Sequence, residues 1–71
     1  MSRDMRQTLA YARALGCTVQ PVMGTGETEV RHPSQAKPLR VNGRRKDAPR
    51  ELTGFVVRVA RALDSGGPSA R

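Results

Sequence analysis

Leu52, Phe55, Val56, Val59 and Leu63 follow one another at intervals of three, one, three and four residues. That spacing lines them along one stripe of an α-helix, and an apolar stripe of this size has to be buried. The chain offers little to bury it with. It has 71 residues and a single cysteine, Cys17, so no disulfide can form within it. A chain of that length buries only roughly 60% of the surface its unfolded form exposes. The helix must therefore close on the other apolar stripes of the same small domain, expected over residues 1–64, with 65–71 as a polar tail.

One such stripe lies near the start. Met5, Leu9, Ala12 and Leu15 share a helical face, while Arg3, Arg6, Gln7 and Arg13 point elsewhere. Ser2 or Asp4 can cap this helix and Gly16 is a natural left-handed stop, which predicts a helix over residues 3–15. Cys17–Met23 is rich in β-branched residues, and Pro21 removes a backbone donor, as suits an edge strand. Gly24-Thr25-Gly26 reads as a hairpin turn.

Residues 27–33 alternate, with Thr28, Val30 and His32 on one face and Glu27, Glu29 and Arg31 on the other. After the punctuation of Pro33–Pro38, Leu39–Asn42 predicts a short third strand with Leu39 and Val41 inward and Arg40 outward. Asp47 and Pro49 then suit the entry of the second helix, with Asp47 as its cap. Gly54 inside that helix costs about 1 kcal/mol against alanine, so a close neighbour is expected there. The fold class that follows is α+β, of order α-β-β-β-α. Its sheet is an antiparallel three-stranded meander with both helices packed on one face.

The chemistry available is limited. One cysteine and one histidine do not make a zinc site, the acids lack the spacing of a calcium loop, and no cofactor is implied. Cys17 reads as a small buried hydrophobe. The lone thiol, the lack of a secretory leader and the lack of an apolar run near 18 residues point to a cytoplasmic protein with no membrane partner. Tyr11 and Phe55, the two aromatics, fall at helical positions suited to the core, so stacking on single-stranded bases is not expected.

Charge is the most informative feature for function. The formal net charge is +7, and residues 31–50 hold Arg31, Lys37, Arg40, Arg44, Arg45, Lys46 and Arg50 against a single acid, Asp47. Such a concentration attracts polyanions and is the expected footprint of a phosphate-backbone binder. Arg44, Arg45, Lys46 and Arg50 stand just before or within the first turn of the second helix, whose free N–H groups and dipole favour an anion. With Arg40 they are the candidate nucleic-acid contacts, to RNA or DNA.

The pattern resembles the HicA-type toxins, small ribonucleases with a fold like that of double-stranded-RNA-binding domains, neutralised by HicB antitoxins. The likeness covers residues 4–63. It rests on the leading helix ending at Gly16, the glycine turn after Val22-Met23, the strand end Arg31-His32-Pro33, and the run Val41-Asn-Gly-Arg-Arg-Lys-Asp-Ala-Pro before the last helix. The resemblance implies a catalytic histidine at the start of the second strand. Here Glu27 stands there, or Thr25 or Gly26 if Gly24 is taken as the turn glycine. A carboxylate with an ordinary pKa near 4.3 is a weak base at neutral pH and repels phosphate, so Glu27 is a poor substitute. His32, the one histidine, reads as structural, and Glu27 and Glu29 as balancing Arg40 across the sheet.

Three readings stay open. The first is a HicA-like nucleic-acid-binding protein without catalysis. The second is a HicA-like ribonuclease working through Glu27 or His32 and covered by an antitoxin-like partner. The third is a protein of phage or mobile-element type that inhibits a host protein through its sheet face or edge strand.

Overall fold

The stripes marked in the sequence meet in one layer. The computed structural model of the chain describes residues 3–64, which places the expected tail and Ser2 outside the described residues. The elements run α1 (Arg3–Ala14), β1 (Thr18–Pro21), β2 (Glu27–Arg31), β3 (Leu39–Asn42) and α2 (Ala48–Asp64). The order is the expected α-β-β-β-α. The sheet is antiparallel with strand order β1-β2-β3. Val30 lies opposite both Val19 and Leu39, and Thr28 opposite both Pro21 and Val41.

Strand alternation then sorts the faces. Val19, Val30, Leu39 and Val41 point to the helices. Thr18, Gln20, Glu27, Glu29, Arg31, Arg40 and Asn42 form the outer face. The core is a single cluster of Met5, Leu9 and Ala12 from α1, Cys17, Val30 and Val41 from the sheet side, and Ala48, Leu52, Phe55, Val56 and Val59 from α2. Leu15, Val19, Leu39 and Leu63 pack around it, half-buried. Arg58 covers the edge of this layer, its guanidinium carbon 5.8 Å from the centroid of the Phe55 ring.

Gly16 does what the sequence asks of it. Its φ is +95°, its N–H donates to the Arg13 carbonyl at 3.0 Å, and the Cys17 N–H donates to the Ala12 carbonyl at 3.0 Å. These two bonds make a Schellman cap, sealed by the buried Ala12 and Cys17 side chains. Gly24 and Gly26 take φ of 81° and 73° in the β1–β2 hairpin, which closes with the Val22 N–H donating to the Glu27 carbonyl at 2.9 Å. The hairpin loop thus begins at Val22, and β1 is shorter than the expected Cys17–Met23. The N-terminus of α2 is closed by the Asp47 carbonyl, which accepts the Glu51 N–H at 2.9 Å. That is the first helical bond of α2, and no Asp47 side-chain bond accompanies it among the described residues; Pro49 sits in the first turn.

Gly54 departs from expectation. A Cβ built there would meet only the far end of the Arg58 side chain, at 3.9 Å, so no close neighbour demands glycine. Gly54→Ala should therefore stabilise the protein by about 0.5–1 kcal/mol, through reduced freedom of the unfolded chain and better helix propensity. Gly16→Ala should destabilise it by about 1–2 kcal/mol, because alanine is strained at that φ. Urea denaturation of the two variants checks both signs; a destabilised Gly54→Ala would contradict the packing described here.

Candidate nucleic-acid interface

One end of the fold gathers the basic residues. Asn42, the last residue of β3, pairs in register with Glu27, the first of β2. The connection from β3 to α2 therefore leaves the sheet at the end where the β1–β2 hairpin lies. Asn42 also shapes that connection. Its side-chain Oδ1 accepts the Arg44 N–H at 3.0 Å and its carbonyl accepts the Arg45 N–H at 2.9 Å. The Arg45 carbonyl in turn accepts the Ala48 N–H at 3.3 Å, which hands the chain to α2. Asparagine supports such a turn because its side chain mimics a backbone carbonyl.

The two helices lie side by side with their N-termini at this same end. One groove between them is lined by Asp4, Gln7 and Thr8 of α1 against Pro49, Arg50 and Thr53 of α2, and the next by Thr8 and Tyr11 against Thr53 and Val57. Both helix dipoles thus present their positive ends beside the basic turn. Arg44, Arg45, Lys46 and Arg50 are all exposed. Asp4, Asp47 and Glu51 are near in sequence or space, yet among the described residues none of the four cations is held in an ion pair.

Arg40 stands apart from this group. On the outer sheet face its Nε lies 3.2 Å from Glu29 Oε2, while Arg31 Nε lies 2.8 Å from Glu29 Oε1. The Glu29 side chain is only 10% exposed, although both helices pack on the opposite face. Both carboxylate oxygens are held by the arginines. The hydrogen bond from Arg31 holds the Glu29 carboxyl below its ordinary value, and Arg40 acts in the same direction against the opposing effect of burial. The expected balance of Arg40 by Glu29 is present. Glu27 takes no part in it, since its register partner is Asn42.

The two catalytic candidates are not brought together. Glu27 opens β2, half-buried, with its N–H donating to Thr25 Oγ1 at 3.2 Å. His32 lies just beyond the other end of that strand, which stops at Arg31 and not at Pro33 as expected. Five residues of extended chain separate them, on the order of 15 Å. The strand ends early because His32 opens a turn: its carbonyl accepts the Gln35 N–H at 3.0 Å, with Pro33 and Ser34 between. The ring is tied into the turn as well, Nδ1 accepting the Ser34 N–H at 3.0 Å with Ser34 Oγ 2.8 Å away. Nε2 faces Gly16, where a Cβ would sit 3.7 Å from it. Among the described residues no three His, Cys, Asp or Glu side chains converge to hold a metal ion. Cys17 is buried, and burial pushes its thiol up, away from the nucleophilic thiolate form.

Tyr11 corrects the sequence reading. It was assigned to the core with Phe55, but it is 55% exposed, and Phe55 alone is buried. One helical step separates Tyr11 from Ala12 on the stripe of Met5, Leu9 and Ala12, which turns it toward the solvent side of the seam with α2. Arg31 and Asn42 were counted in the sequence only as part of the basic segment and of the third strand, and neither was marked as a site residue. The signal for Asn42 was the Asn-Gly pair closing a strand; for Arg31 it was its spacing of two from Glu29, which puts both on one face.

Comparison with protein-family models, with curated proteins and with solved structures finds no match to this chain. Among the described residues no helix is long and apolar enough to cross a membrane.

The triad on the outer face has a consequence for pH. Because the folded-state carboxyl of Glu29 lies below its unfolded-state value, its contribution to stability is complete at pH 7. That contribution is lost as the pH falls below the unfolded-state value and through the depressed folded one. In urea denaturation between pH 7 and pH 3, the Glu29→Gln variant should lose less stability on acidification than the wild type. Parallel curves for the two proteins would contradict the ion pairs at Glu29.

Proposed function

We propose that this chain is a small nucleic-acid-binding protein of HicA-like fold without ribonuclease activity, which grips the phosphate backbone through the turn leading into α2. Arg44, Arg45, Lys46 and Arg50 make the contacts, with Arg40 on the outer face of the sheet as a further one. The observation that carries the reading is the state of those four cations: exposed, free of ion pairs among the described residues, and set where two helix N-termini meet. Protein cations at such a site replace the condensed counterions of a nucleic acid, and release of those ions drives binding. The mode suits recognition of shape and backbone more than of base sequence, as in double-stranded-RNA-binding domains. The α-β-β-β-α order is also that of the HicA-type toxins, which supports the likeness in fold.

The same geometry supports a reading without catalysis. Cleavage of RNA by proton transfer needs a base and an acid on either side of one phosphate. Glu27 lies near the basic turn without a histidine, and His32 lies at the far end of β2 with its Nδ1 already occupied. The rival reading, binding to an antitoxin-like or host protein, draws on one observation, the solvent-facing Tyr11 and Val57 along the seam of the helices.

A gel-shift titration against labelled double-stranded RNA, double-stranded DNA and single-stranded RNA, repeated at two salt concentrations, separates these readings. Binding should weaken with salt at a slope of about −0.9 in log K per phosphate neutralised on a duplex. The triple variant Arg44→Ala, Arg45→Ala, Lys46→Ala should lose about three contacts' worth of that slope while the probes stay uncut. Cleaved RNA would restore the ribonuclease reading, and no binding to any probe would leave the protein-partner reading standing.

A further inference from the structure

The outer face of the sheet carries a cluster that the basic turn does not explain. Among the described residues no element packs on this face, yet Glu29 is buried in it, bound by two arginines from different strands. A single acid would suffice to balance one cross-strand arginine. Here each carboxylate oxygen holds a separate guanidinium by its Nε, Arg31 at 2.8 Å and Arg40 at 3.2 Å. The Arg31 and Arg40 side chains remain 62% and 56% exposed, so the bulk of both heads faces water.

We propose that Glu29 is a positioning residue, which holds Arg31 and Arg40 as a preset pair for the phosphodiester backbone of a nucleic acid on the outer sheet face. Each guanidinium has five N–H donors in a fixed fork, and the shared carboxylate occupies few of them. The donors that remain match the oxygens of a phosphate, for which arginine is the best-shaped side chain. Because both heads bind one carboxylate, their Nε atoms lie within about 8 Å of each other. Both heads are thus close enough to reach one strand of a backbone together. The triad keeps one net positive charge. Holding the two long side chains in place before the ligand arrives removes part of the ordering cost of binding, which is about 2 kcal/mol of rotamer entropy for a free arginine.

The pair is also continuous with the turn. Arg40, Asn42 and Arg44 succeed one another along β3 and its exit, so a backbone seated at Arg44–Lys46 passes over the edge of the sheet onto Arg40 and then Arg31. This inference rests on the nucleic-acid reading given above and extends its contact surface to Arg31, which charge counting along the basic turn leaves out.

The test is fluorescence anisotropy with a labelled RNA duplex of about 16 base pairs, the span of a shape-reading domain, and a DNA duplex of the same sequence. Arg31→Ala and Arg40→Ala should each weaken binding by about three- to tenfold, whereas Arg13→Ala, which removes an exposed cation from the last turn of α1, should change it less than about twofold. Glu29→Gln gives the sharper result. It raises the net charge by one, so charge counting predicts tighter binding, whereas loss of positioning predicts weaker binding. Arg31→Lys keeps the charge, loses the fork and should weaken binding as Arg31→Ala does, which secures the test if Glu29→Gln folds poorly. Binding by Glu29→Gln at or above wild-type strength, or Arg31→Ala behaving as Arg13→Ala, would overturn the pair. If the basic-turn triple variant alone loses binding, the pair fails and the turn stands; if the wild type does not bind either duplex, both readings fall.

Discussion

Phe55, Leu52 and Val59 of α2 close against Met5 and Leu9 of α1 and Val30 and Val41 of the sheet, and everything else in the molecule is arranged around that one layer. With no cross-link and few residues to spend, the domain rests on this one cluster among the described residues. The layer dictates the handling of each face. It draws the apolar side of every strand to the helices, leaves the outer face of the sheet to polar residues, and pulls the two helices side by side. Their N-termini then share one end, and the turn from β3 into α2 has to emerge there. The position of the basic cluster is thus a by-product of core packing.

Much of this was legible in the chain itself, because the deciding signals were local and periodic. The α2 stripe, Leu39 and Val41 in the third strand, and Gly16 as a left-handed stop each follow from one physical rule acting over a few residues. The failures came where neighbours decide. Tyr11 lies one helical step off its stripe, and only the seam between helices determines whether that step leads to the core or to water. His32 alternates correctly as a strand residue, but Pro33 and the bond from Ser34 to its ring turn the chain before it can pair. Gly54 looked like a packing requirement and is a cost in helix propensity with no neighbour to explain it. Glu29 alternates outward like its neighbours, and its spacing from Arg31 puts both on one face, but only the fold shows that Arg31 and Arg40 both bind its carboxylate and that it is buried.

The site divides in the same way. Arg44, Arg45, Lys46 and Arg50 were marked by charge density alone, and the fold adds that they are exposed and free of ion pairs among the described residues. Arg40 was marked with them but belongs to a different arrangement, coupled through Glu29 to Arg31. The distinction matters physically. The turn offers exposed charges without ion-pair partners among the described residues, whose attraction is long-ranged and salt-screened, while the sheet pair offers donors tied to Glu29 that act on contact. A polyanion meeting both would be drawn in by the first and held in place by the second.

Amide chemical-shift mapping by ¹⁵N NMR during titration with a short RNA or DNA duplex reads, residue by residue, where a phosphate backbone would sit. The predicted result is a contiguous set of shifts from Arg40 through Arg50, joined by Arg31, that fades as salt is raised. Shifts centred on His32–Pro38 and the C-terminal ends of the helices, or on Tyr11 and Val57, would contradict it.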